Sequence, residues 1–79
     1  MIKQDIIKTE MLNAALAEMS AREAKAKATI RLYLNNSVGI ADHSEIIDEI
    51  IKWANYGAEA ADAKEYLTDN FLIIDEKEP

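Results

Sequence analysis

The side chains that could carry chemistry in this 79-residue chain are few in kind: one histidine, His43, no cysteine, and fifteen carboxylates against nine lysines and arginines, for a net charge of −6. Metal binding or proton transfer needs several such groups converging on one point. Helical di-metal sites place a Glu three residues before each His, and the residue three before His43 is Ile40. Without cysteine there is neither a disulfide nor a thiolate zinc site. Phosphate-cradling glycine loops, the HExxH zinc signature and a serine-nucleophile elbow are also absent from the sequence. The acidic pairs Asp48/Glu49 and Glu59/Asp62 fit solvated helix faces. The expectation is a chain with no enzymatic activity, no metal and no cofactor.

The cations are more suggestive. Arg22, Lys25, Lys27 and Arg31 fall within ten residues, opposed by Glu23 alone. At about 100° per helical residue, Arg22 and Lys25 lie on one side and Lys27 and Arg31 on the other, so one copy of the segment makes no single basic stripe. Salt bridges to acids of a second helix, such as Asp48, Glu49 and Glu59, account for them. An anion site needs several copies of the segment brought together, with Tyr33 or Trp53 stacking, or the free N–H groups at the start of the second helix acting with His43. The acid surplus argues against a protein built for nucleic-acid backbones.

These residues have to be held by helices. Residues 2 to about 35 carry Ile2, Ile6, Thr9, Leu12, Leu16, Met19, Glu23, Ala26, Ile30 and Tyr33 at three- and four-residue steps, the stripe of a helix packed on a neighbour. A second stripe runs beside it through Ile7, Met11, Ala14, Ala15, Ala21, Ala24, Ala28 and Leu32. The interruption at Glu23 fits an edge position, or a pairing with a basic residue of another subunit. A second helix, about 44–70, repeats the arrangement: Ile46, Ile50, Trp53, Gly57, Ala60, Ala63, Leu67 and Phe71 in one stripe, and Ile47, Ile51, Ala54, Ala58, Ala61 and Glu65 in the other. Gly57 with its neighbouring alanines suits a close helix crossing.

Residues 36–43 form the linker. Gly39 can end the first helix, Val38 and Ile40 can plug the open end of the hairpin, and Asp42 with Glu45 fits a capping box at the start of the second helix. The tail 71–79 opens with Phe71-Leu72-Ile73-Ile74, expected to dock on the bundle, and ends in acids. No apolar run is long enough to cross a bilayer, and the first residues lack the features of a signal peptide, so a cytoplasmic chain is expected. The fold class is therefore an all-α, single-domain antiparallel hairpin, with helices about 50 and 40 Å long. Two apolar stripes per helix leave one uncovered in a monomer. Association into a homodimeric four-helix bundle, or a higher oligomer, is expected.

The segment Leu32-Tyr33-Leu34-Asn35-Asn36-Ser37-Val38-Gly39-Ile40-Ala41-Asp42-His43-Ser44-Glu45-Ile46 resembles a pattern, YLxNPVGIGEHP followed by an acid and an aliphatic residue, found between two helices in small proteins of tailed bacteriophages. Val38-Gly39-Ile40 and His43 match it. Ser37 and Ser44 stand where prolines are usual, and Ala41 stands where glycine is. The resemblance implies a helical hairpin of phage origin and suggests an accessory role in the infected cell, in the host cytoplasm; it brings no established activity. Two functions follow: an interaction module that binds or inhibits a host or phage protein through apolar positions near Trp53, Tyr56 and Tyr33 or through its acidic face, or an oligomer that sequesters an anionic ligand such as a nucleotide.

Overall fold

The computed structural model describes residues 2–36 and 43–72, with side chains over 8–35 and 45–72. It is an all-α hairpin of two helices, α1 (Ile2–Asn36) and α2 (His43–Phe71). No Pro or Gly interrupts α1, and its alanines and long unbranched side chains are strong helix formers. Its last residue immediately precedes the Ser37-Val38-Gly39 break. α2 starts directly after Asp42, with Glu45 in its first turn, where an acid meets the positive end of the helix dipole. Val38, Gly39, Ile40 and Asp42 lie outside the described residues, so the plug and the cap do too.

Contacts across the hairpin run in opposite order along the two helices: Tyr33 meets Glu49, Ala26 lies against Gly57, and Glu23 and Ser20 meet Lys64. The helices are therefore antiparallel. The molecule measures 59 × 19 × 15 Å, two helices wide and one deep. In so thin an object few side chains can be surrounded, and among those described only Ala26, Ile46 and Ala60 are buried.

Of the two stripes on each helix, the one containing Leu12, Leu16, Met19, Ala26 and Ile30 in α1, and Ile46, Ile50, Ala60 and Leu67 in α2, is turned inward. The helices approach closely at Gly57, where an added Cβ would stand 2.8 Å from the Cβ of Ala26. The absent side chain thus sets the helix separation at mid-hairpin, as the small-residue patch predicted. The other stripe stays in water: Met11 is 67% exposed, Leu32 60%, Ile47 57% and Ile51 53%.

The C-terminal expectation needs correcting at its first two residues. Phe71 is the last residue of α2 and is exposed, its ring edge-on to Tyr66 of the same helix at 6.3 Å. Leu72 continues the turn by an N–H bond to the Thr68 carbonyl, and is also exposed. A partner within its own helix takes the Phe71 ring, so this side chain does not dock on α1. Ile73 and Ile74 lie outside the described residues.

Candidate functional site

Trp53 occupies the inward stripe of α2, one turn before Gly57, and is half-buried. Two ammonium groups lie 5.5 Å from its ring centroid, Lys25 from α1 and Lys52 from the preceding position of α2. Tyr56 meets the indole edge-on at 5.2 Å. Lys52 also approaches Glu49 at 3.9 Å, and Glu49 accepts a 3.3 Å hydrogen bond from the Tyr33 hydroxyl across the helices. Burial, and after it the Glu49 carboxylate, push the Tyr33 phenol above its ordinary value. Tyr33, Glu49, Lys52, Trp53, Tyr56 and Lys25 thus form one chain of contacts that fastens the loop half of the hairpin. The cations the indole attracts are weakly held at such a partly exposed site, and the indole also lines an open groove that Lys27 borders.

A second polar cluster sits further from the linker. Lys64 donates to the Glu23 carboxylate at 2.9 Å and to the Ser20 hydroxyl at 3.2 Å. The hydrogen bond from Lys64 holds the Glu23 carboxyl below its usual range, with the charges of Lys64 and Lys27 acting in the same sense and burial opposing them. The break in the α1 stripe at Glu23 is thereby matched by a cation of the same chain, not by another subunit. The sequence signalled only the α1 half of this pair: Glu23 breaks its stripe, whereas Lys64 lies beside Ala63 in an α2 stripe that continues unbroken to Leu67.

The basic segment is dispersed. Arg22 is paired within α1 to Glu18 at 3.1 Å, Lys25 lies at Trp53, and Lys27 borders the opposite flank of the hairpin. Asp48, Glu49 and Glu59 were expected to receive these cations; Glu49 is instead engaged by Tyr33 and Lys52. Arg31 is exposed, and the side chain of His43, the first residue of α2, lies outside those described. Among the described residues no group of three His, Cys, Asp or Glu could hold a metal ion, and no helix is long and apolar enough to cross a membrane.

Two shallow grooves open on the two flanks, each of about 250 Å³. One runs between Glu23, Lys27 and Ile30 of α1 and Trp53, Ala54, Gly57, Ala58 and Ala61 of α2, and so brings Lys27 and Trp53, two of the residues named for an anion site, to the same groove. The other is lined by Met19 and Arg22 of α1 and by Tyr56, Glu59 and Ala63 of α2. The first groove therefore carries the outer stripe of α2. The outer stripe of α1, with Met11 and Leu32, falls by helical period on the flank of Arg22 and Lys25. The two outer stripes thus face opposite ways and do not merge into one surface. Comparison with protein-family models, with curated proteins and with solved structures returned no match.

Proposed function

We propose that this chain is a non-enzymatic helical interaction module of the phage accessory type, which acts by covering the outer stripes of its two helices with other protein chains, a host protein among them. One observation carries this reading: the hairpin consumes one apolar stripe of each helix and leaves the other in water, with Met11, Leu32, Ile47 and Ile51 each more than half exposed. Exposed apolar positions in rows are the usual mark of a surface that meets protein. The alternative, sequestration of an anionic ligand, has less behind it. The cations of 22–31 are spread over two flanks, and each groove is smaller than the ~300–1,000 Å³ typical of ligand pockets.

Light scattering at micromolar concentration, together with capture of host proteins on a tagged chain, tests the reading. The expected result is a mass above one chain, with any captured host protein lost on Met11→Lys or Leu32→Lys. A monomer that captures nothing overturns it. A large, concentration-dependent rise in melting temperature with nucleotides would favour sequestration instead.

A further inference from the structure

We propose that the flank of α2 carrying Ile47, Ile51, Ala54 and Ala58 is a homodimer interface, on which the same helix of a second copy lies antiparallel with the two-fold axis crossing α2 between Ile51 and Ala54. The proposal rests on the reading that the outer stripes are covered by protein and names the occupant of one of them. Ile47, Ile51, Ala54, Ala58 and Ala61 recur at alternating four- and three-residue steps, the spacing of a coiled-coil seam. Along that seam the bulky residues come first and the small ones after. Ile47 and Ile51 stand 57% and 53% exposed, while the groove beside Ala54, Gly57 and Ala58 is open. Knobs and hollow lie one to three turns apart on one face, so a two-fold axis between them seats each copy's knobs in the other's hollow, as an isologous contact requires.

The register follows from size and charge. With the axis at this point, Ile47 meets Ala58 of the second copy and Ile51 meets Ala54. Each bulky side chain faces a small one. On the outer margin Asp48 comes opposite Asn55, an amide that can donate to it. Sliding the second copy by seven residues one way sets Ile47 against Glu65 and Asp48 against Asp62. Sliding it the other way sets Asp48 against itself and Ile47 against Ile51. A parallel pairing stacks Ile on Ile at one end and Ala on Ala at the other, and helix separation follows the side chains at the contact, so one straight crossing cannot satisfy both ends. The thin hairpin also has cause to associate, since only three of its described side chains are buried.

The chain has no cysteine, which makes cross-linking a clean test. Positions 47 and 58 are about 16 Å apart along one helix, beyond the ~7 Å a disulfide can bridge, so a bond between them joins two chains. Under mild oxidation the Ile47→Cys/Ala58→Cys chain is expected to become a covalent dimer at least about tenfold faster than either single variant or Ile47→Cys/Glu65→Cys, because only the first pair lies within bonding distance in this register. Ile51→Lys is expected to reduce the native mass to one chain, and Met11→Lys on the other flank to leave it unchanged. Equal or faster bridging in the 47/65 chain or in a single variant overturns the proposal. If the wild-type mass exceeds one chain while 47/58 fails to bridge, the interface is wrong and the interaction reading stands. A wild-type monomer that captures nothing removes both. Should Ile51→Lys unfold, the cysteine comparison decides alone.

Discussion

Replacing Gly57 by alanine sets two well-known effects against each other. In a helix interior the change is worth about 0.5–1 kcal/mol in favour of alanine, which restricts the unfolded chain and shields the backbone. In this hairpin the added Cβ would lie 2.8 Å from the Cβ of Ala26, whereas carbon atoms rest at about 3.5–4.0 Å. Both atoms are fixed directly to helical backbone, so no rotamer change relieves the overlap. The helices must part locally by roughly 1 Å, loosening the buried contacts of Ala26 and Ala60 alongside. Overpacking of this kind costs about 1–3 kcal/mol, so the net expectation for Gly57→Ala is a loss of about 1–2 kcal/mol. For a domain of this size each kcal/mol shifts the midpoint by about 4–8 °C. Urea unfolding followed by helical circular dichroism and by the fluorescence of the single tryptophan, Trp53, measures it; chain concentration must be held constant because association shifts apparent stability. Ala26→Gly in the same chain removes the opposing Cβ, so the double variant should regain most of the loss, a coupling of about 1 kcal/mol or more. If Gly57→Ala raises stability, helix propensity alone is acting and the close approach of α1 and α2 at this point is refuted.

Three further outcomes are expected. Ile46→Ala empties one of the few buried positions and should cost about 2–4 kcal/mol, while Met11→Ala, at a largely exposed site, should stay within about 0.5 kcal/mol; parallel denaturant melts compare them, and equal costs would contradict the assignment of inner and outer stripes. Because the folded chain holds the Glu23 carboxyl below its ordinary 4.5, the unfolded chain takes up the proton first. The contribution of Glu23 is therefore complete above that value and lost as pH falls through the lowered folded one; melts in mild acid should show the loss in the wild type and little of it in Glu23→Gln, and identical profiles would sink the Lys64 pairing. Lys25→Gln and Lys52→Gln should each cost no more than about 1 kcal/mol and alter Trp53 emission, an unchanged spectrum in both arguing against the ammonium positions beside the indole.

Much of the hairpin was legible in the sequence because helix formation is local. The absence of Gly and Pro from α1, the Val38-Gly39-Ile40 break and the repeated three- and four-residue steps all act within a few turns. The small-residue patch at Gly57 likewise announced a close crossing. The Glu23–Lys64 pair was half-written, as the break in the α1 stripe at Glu23, but its partner is identified only once the register of the helices is known, since the α2 stripe runs unbroken past Lys64 through Ala63. The contacts around Trp53 were less accessible. Lys25 and Lys52 reach the indole from different helices, and nothing in the local pattern distinguishes them from Lys27 or Arg31.

The sequence by itself determined two helices, their order and the presence of two apolar stripes on each, since these depend on propensity and on the helical period. Only the tertiary structure decided which stripe is inward and how the remaining ones point. In α1 the outer stripe precedes the inner by one residue, as Met11 precedes Leu12 and Leu32 precedes Tyr33; in α2 it follows, as Ile47 follows Ile46 and Ile51 follows Ile50. In an antiparallel pair equal offsets fall on the same flank and opposite offsets on opposite flanks, because reversing a helix also reverses the direction from which it faces its partner. The outer stripes therefore open on two sides of the hairpin, a property of how the helices are paired and of neither helix alone.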